Sequence, residues 1–159
     1  AEGIILAASD TGEADRMYTI YTKDHGKLSI FAKGVRLEKS KLRYHLRSFA
    51  HIRLSFVEGK NILRLTDAEE LVPPPSSENA WHAAKKISLF ANRLIAGQER
   101  DAALWEVIDS TFRLLDSGRP VLPAWEQEFK ARLLHRLGYL DNENADAAAI
   151  EEALSASQL

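Results

Sequence analysis

The sequence contains no cysteine and no long apolar run. Without thiols the chain can form no disulfide, no cysteine nucleophile, no redox CxxC pair and no zinc site built on thiolates. No apolar stretch approaches the ~20 residues that cross a bilayer. Glu2 stands where a signal peptide would carry positive charge. These absences predict a soluble protein of the cytoplasm.

Motifs for catalysis and for cofactor binding are missing as well. Neither GxGxxG nor GxxxxGK[ST] occurs, so the usual phosphate-binding loops are not indicated. None of the five histidines stands in HExxH spacing, and we interpret them as surface or packing residues. A nuclease would need a cluster of metal-binding carboxylates that the sequence does not show. We therefore expect no enzymatic activity, no cofactor and no metal site.

Charge is present at an ordinary level but is distributed unevenly along the chain. The 159 residues have a net charge of −2, and 28% of them are charged. Between Arg16 and Arg53, however, ten basic residues are accompanied by only two acidic ones. Such a segment creates a local positive field that attracts anionic partners. The alternative interpretation is a solvated loop and strand face without a partner.

The first part of the chain is typical of β-structure. Five short stretches rich in apolar and β-branched residues are separated by turns and one longer basic segment. In the third stretch Leu28, Ile30 and Ala32 alternate with polar or outward residues. The pattern predicts a small closed barrel, with the OB-fold as first candidate and an SH3-like barrel as its main competitor. The predicted strands are Gly3–Ala7, Met17–Thr22, Lys27–Lys33, Ile52–Phe56 and Ile62–Thr66.

The second part of the chain is typical of helices and follows a proline-rich linker at residues 73–77. Apolar residues, among them Trp81 and Leu133, recur at helical spacing and predict buried faces. The last segment has few large apolar residues, so we expect it to be loosely docked or frayed. The predicted helices are Ser77–Ala96, Asp101–Leu115, Leu122 or Pro123 to Leu137, and Asp146–Ala156. The whole pattern predicts an α+β protein with a five-stranded OB-fold barrel over residues 1–72 and a helical domain over residues 77–159.

The most informative local feature is the segment from Ala32 to Arg43, here called the basic loop. Five of its twelve residues are Lys or Arg, and it directly follows a predicted strand. Binding to a phosphate backbone needs several such cations and no particular base contact. Tyr44 follows the loop and is the barrel aromatic we most expect to be exposed, as a platform for an unpaired base. For the acidic pair Glu13 and Asp15 we expect a capping role or an ion pair with Arg16 or Lys33.

Four N-terminal stretches form an ordered set: Glu2–Leu6, Gly12–Arg16, Thr22–Lys27, and Ala32–Arg36 with Ser40. Their order and spacing resemble the N-terminal domain of the RecO family of recombination-mediator proteins. Further along, Phe129–Tyr139 is similar to a helix of that family that ends in Leu-Gly-Tyr. Two matches in the right order within one chain are more specific than either match alone.

The resemblance implies an N-terminal OB-fold followed by a helical domain, and a location in the cytoplasm at the nucleoid. It implies binding of single- and double-stranded DNA, annealing of complementary strands and help in loading the recombinase. It also implies partnership with RecR and with the acidic, apolar C-terminal tail of single-strand-binding protein. In many family members a cysteine zinc module follows the Leu-Gly-Tyr helix. Here there is no cysteine and only 20 residues follow Tyr139, so we expect a short form without that module.

The resemblance also implies positions for two binding sites. An anionic peptide with an apolar end requires cations beside an apolar notch, which favours the Leu-Gly-Tyr helix for the tail. The predicted DNA-binding residues are Lys33, Arg36, Lys39, Lys41, Arg43 and Tyr44. The predicted partner-binding residues are Phe129, Lys130, Arg132, Leu133 and Arg136. The alternative function is a protein-interaction adaptor whose basic loop binds an acidic protein and which has no DNA activity.

Overall fold

Five strands and four α-helices follow one another in the computed structural model, which describes residues 1–141 and 147–157. The strands are β1 Glu2–Thr11, β2 Asp15–Thr22, β3 Gly26–Ala32, β4 His51–Gly59 and β5 Ile62–Val72. The helices are α1 Glu78–Leu94, α2 Ala102–Asp116, α3 Pro123–Arg136 and α4 Ala147–Ser157. A short 3-10 helix, Leu42–His45, lies between β3 and β4.

The five strands close into a barrel in the order β1-β2-β3-β5-β4. All neighbours are antiparallel except β3 and β5, which run parallel and pair Ile30 with Leu63 and Phe31 with Arg64. This order and the single parallel contact are those of an OB-fold. The predicted α+β class, with an OB-fold barrel followed by helices, is confirmed.

Alternation along the strands builds the barrel interior. Leu28 and Ile30 are buried while Ser29 between them is exposed, as the sequence predicts. Three strands continue beyond their predicted ends, β1 to Thr11, β4 to Gly59 and β5 to Val72. The polar residues of these extensions are held by strand pairing, which does not depend on apolar side chains.

Helix ends in the second part are set by caps. Ser77 accepts a hydrogen bond from the Ala80 N–H at 3.2 Å and begins α1, as predicted. In the Leu-Gly-Tyr sequence after α3, Gly138 has a φ of 88°. The Tyr139 N–H then donates to the Leu134 carbonyl at 2.8 Å. This six-to-one hydrogen bond is the Schellman arrangement that ends a helix at glycine.

Two expectations about the helices are wrong. Trp81 was predicted on a buried face, but its side chain is 37% exposed because it lies on the first turn of α1, where the helix meets the linker. The last helix is not loosely docked, since Ile150 and Ala153 are 4% and 6% exposed in the common core. The predicted start of that helix at Asp146 lies outside the described residues.

The barrel and the helices share one apolar core. Four barrel residues belong to the cluster that fills the helical part: Ile4, Leu6, Tyr21 and Phe49. The ring of Tyr21 stacks on Trp105 of α2 at a centroid distance of 6.1 Å, and burial raises the pKa of the tyrosine hydroxyl. Phe49 meets Trp81 edge to face at 5.4 Å. The division into two domains at residues 72 and 77 stays a prediction.

Two features are absent from the residues that the structure describes. No helix among them has both the length and the apolarity needed to cross a membrane. No group of three or more His, Asp or Glu side chains among them is placed to hold a metal ion.

Candidate nucleic-acid interface

The start of the basic loop is fixed against the turn between β1 and β2. The Gly34 N–H donates to Asp15 Oδ1 at 2.6 Å, and the Arg36 N–H donates to the Ala14 carbonyl at 2.9 Å. Between them Val35 is 1% exposed and belongs to the barrel core. The loop therefore leaves the barrel along a defined path.

The side chain of Arg36 binds the same turn. Its Nη2 donates to the Gly12 carbonyl at 2.6 Å and its Nε to the Asp15 carbonyl at 3.2 Å. Asp10 lies 3.4 Å from its Nη1 and also accepts from Arg16 Nε at 2.7 Å, which holds the pKa of Asp10 below its ordinary value. The expected ion pair of Glu13 or Asp15 with Arg16 or Lys33 is not found among the described residues. Asp15 binds the loop backbone instead, because the turn brings it beside Gly34.

The residues that follow the basic loop are fixed against β5. Arg47 makes a two-pronged ion pair with Glu70, which raises the pKa of Arg47. The Glu70 N–H donates to His45 Nδ1 at 3.2 Å. The guanidinium of Arg43 lies 4.9 Å from the centre of the Tyr44 ring, and its Nη2 donates to the tyrosine hydroxyl at 2.8 Å. Tyr44 is 63% exposed, so the structure presents this ring to solvent as predicted.

Three lysines of the basic loop form what we call the lysine patch: Lys33, Lys39 and Lys41. All three side chains are exposed. Within the described part of the chain, no hydrogen bond or ion pair reaches any of their ammonium groups. Exposed, unpaired cations can displace counterions from a phosphate backbone without first breaking an internal contact. Of the predicted DNA-binding set, the lysine patch and Tyr44 are thus open to a ligand, whereas Arg36 is engaged within the protein through all three guanidinium nitrogens and Arg43 through Nη2 alone.

The predicted partner-binding residues divide between the two faces of α3. Phe129 and Leu133 are 2% and 0% exposed, and Phe129 packs against Phe90 in the core. The structure therefore does not place these two side chains on an accessible notch. Lys130 pairs with Glu126 at 3.2 Å, and Arg136 pairs with Asp101 at 3.2 Å. Arg132 is partly exposed and has no ionic partner among the described residues.

A groove that sequence reasoning missed lies between the barrel, the linker and the helices. Its volume is about 940 Å³. Arg16, Arg43 and Arg47 line it from the barrel side, and Trp81 and Asp116 line it from the helices. Partial burial raises the pKa of Asp116 to about 6, against the opposing effect of Arg113. The groove had no sequence signal because its walls come from stretches that are distant along the chain.

The closed barrel, with an exposed cationic loop and a helical part packed on it, places this chain in the class of OB-fold proteins. Residues 1–73 match the family model described as "Recombination protein O N terminal". The DNA repair protein RecO of Heliobacterium modesticaldum is 35% identical over 146 residues, which are 87% of this chain and 51% of that protein. The DNA repair protein RecO of Nocardioides sp. is 40% identical over 129 residues, 79% of this chain and 50% of that protein. The chain belongs to the RecO family, and it spans about half the length of the curated relatives it matches.

Proposed function

We propose that the chain binds DNA through its basic loop and acts as a mediator of homologous recombination in DNA repair. In this function it binds single- and double-stranded DNA, promotes strand annealing and helps to load the recombinase, without an enzymatic step of its own. The names of the RecO relatives support a role in DNA repair. The observation that carries the proposal is the lysine patch, exposed and unpaired on a loop whose two ends are fixed.

The proposed mechanism is electrostatic. Each lysine that contacts a phosphate releases condensed counterions, so affinity depends steeply on salt and little on sequence. Two strands held near the same cations repel each other less, which favours their annealing. The exposed ring of Tyr44 adds a stacking surface for an unpaired base.

We further propose that α3 binds the C-terminal tail of single-strand-binding protein and that RecR is a second partner. The cations of α3 support the tail proposal, since Arg136 is exposed and Lys130 and Arg132 are partly exposed, and Arg132 needs no internal ion pair broken. Phe129 and Leu133 support the helix from the core and do not contact the tail directly.

The test removes two charges of the lysine patch. In K33A/K39A we expect affinity for a fluorescent single-stranded oligonucleotide to fall about 5- to 30-fold at low salt. The slope of log affinity against log salt should flatten by about 1.4, because each of the two lost phosphate contacts removes ~0.7 from the slope for single strands. The measurement is fluorescence anisotropy at several salt concentrations.

The matched control is K23A/K60A, which removes the same charge from two exposed lysines in the turns β2–β3 and β4–β5. This variant should bind nearly as the unchanged protein does. Equal losses in both double variants would show that binding follows net charge and not the basic loop. An affinity that does not depend on oligonucleotide length, or no binding at all, would favour the adaptor function on an acidic protein.

A further inference from the structure

Trp81 occupies an unusual position in the groove between barrel and helices. It lies on the first turn of α1, and its ring meets Phe49 edge to face at 5.4 Å. The side chain is still 37% exposed and lines the groove. In contrast, Trp105 is 4% exposed within the core. A fixed but accessible indole is the kind of surface on which unpaired bases stack.

One cation lies beside this ring, and others line the groove. Lys85 Nζ lies 5.9 Å from the ring centre, and Arg43 and Arg47 line the barrel side of the groove. Nη2 of Arg43 donates to the Tyr44 hydroxyl, and Nε and Nη2 of Arg47 donate to Glu70, so among the described residues Nη1 of each arginine has no hydrogen-bond partner. A guanidinium nitrogen without a partner gains from an anionic oxygen brought into the groove. Phosphate is such an anion, and a nucleotide carries it beside a base.

The groove is also continuous with the basic loop. Arg43 is the last residue of that loop and lines the groove, and the exposed Tyr44 follows directly. The linker prolines, residues 73–75, form a wall that has no N–H groups to satisfy. A volume of about 940 Å³ is within the range of sites that hold small ligands. A strand that contacts the lysine patch can therefore run on into the groove.

We propose that this groove binds an unpaired segment of single-stranded DNA, with one base stacked on Trp81 and its phosphates at Arg43 and Arg47. The proposal rests on the proposed DNA-binding function and extends its path from the barrel to the helical part. Asp10 and Asp116 also line the groove and limit its positive charge. The base contact at Trp81 is therefore the element that gives the groove its preference for unpaired strands over duplex.

The experiment compares two fluorescent strands of equal length, an oligothymidine and a strand of abasic sugar-phosphate units, with the whole chain. In W81A we expect the affinity for oligothymidine to fall about 5- to 20-fold, because one stacked base is lost. The affinity for the abasic strand should stay unchanged, since its phosphates contact the same cations. W81F keeps an aromatic ring and should recover most of the loss. L89A removes another exposed apolar side chain of α1 and should change neither strand.

The outcomes separate this proposal from the one on which it rests. If both strands bind the unchanged chain but W81A and W81F alter neither affinity, the groove proposal is wrong and the lysine patch stands. An equal loss on both strands in W81A shows that the ring supports the fold and not a base, which also overturns the groove proposal. If neither strand binds the unchanged chain, both proposals are wrong.

Discussion

At the scale of single residues, Arg36 shows what a charge pattern does and does not reveal. Its position within a cationic loop predicts a phosphate contact, yet its guanidinium binds Gly12, Asp15 and Asp10. Sequence counts the cations of a loop but does not show which of them are already satisfied inside the protein. The unpaired lysines are recognisable only once the path of the loop is known.

We expect R36A to act on stability more than on DNA binding. The substitution removes hydrogen bonds to the β1–β2 turn, and we expect a loss of ~1–3 kcal/mol in the free energy of unfolding. The salt dependence of DNA binding should change less than in K33A/K39A. Urea denaturation gives the first quantity and anisotropy the second.

Arg53 provides the control for this variant because the one ion pair it makes among the described residues, with Glu69, is exposed. In R53A we expect less than ~1 kcal/mol of destabilisation. If R36A is as stable as R53A but loses DNA affinity as K33A/K39A does, then Arg36 is a phosphate ligand and its internal contacts are dispensable.

At the scale of elements, the apolar spacing predicts where the helices lie along the chain, but it does not show which of their side chains a partner can reach. The spacing that identified α3 also predicts that Phe129 and Leu133 face inward, and they are buried. Assigning the same two residues to a partner site conflicts with that periodicity. Of the two cations between them, Lys130 pairs with Glu126 and lies 5.4 Å from the centre of the Phe90 ring, whereas Arg132 is partly exposed.

The two faces of α3 should therefore respond differently to truncation. We expect L133A to lower the free energy of unfolding by ~2–5 kcal/mol, because it leaves a cavity at a fully buried site. R132A should leave the melting temperature within about 2 °C, because a surface substitution changes the free energy of unfolding by less than ~0.5 kcal/mol. It should weaken binding of a synthetic peptide of the single-strand-binding protein tail several-fold without changing DNA affinity.

The control for R132A is R119A, an exposed arginine between α2 and α3. Peptide affinity should be unaffected in R119A. A tail peptide that binds R132A as tightly as the unchanged protein would place the tail site elsewhere than on this face of α3.

At the scale of the whole molecule, barrel and helices approach each other backbone to backbone. Gly26, in the turn between β2 and β3, has a φ of 66°. A Cβ atom there would lie 2.6 Å from the Glu99 carbonyl oxygen in the connection between α1 and α2. Nearby, Lys27 Nζ donates to the Asn92 carbonyl at 2.9 Å, and burial lowers the pKa of this lysine. The turn and the helix connection thus meet with no room for a side chain.

We expect G26A to destabilise the protein by ~2 kcal/mol more than G12A in urea denaturation. Both glycines have a positive φ, so both variants carry the backbone strain of ~1–2 kcal/mol. Only Gly26 faces another backbone, since nothing lies within 4 Å of a Cβ at Gly12. Equal destabilisation in G26A and G12A would mean that the backbone at Glu99 can move away from a new methyl group at little cost in free energy.

The sequence was informative about elements and class, and less so about their assembly. Alternation at Leu28 and Ile30 predicts a strand with one buried face, which is enough to expect a barrel. The docking of Tyr21 on Trp105 joins residues 84 positions apart, and neither residue signals the other. The groove at Trp81 depends on that docking and was therefore beyond prediction.

The shared core has a consequence for the order in which the protein is made. Ile4, Leu6, Tyr21 and Phe49 leave the ribosome before any of the helices that cover them. A barrel that closes at that moment carries an apolar patch exposed to the crowded cell. Partly folded chains with such patches tend to aggregate. The amount of soluble protein formed during synthesis therefore depends on how soon α1 and α2 are synthesised and cover the patch. Slowing translation within the linker would lengthen that exposure and lower the amount of soluble protein recovered.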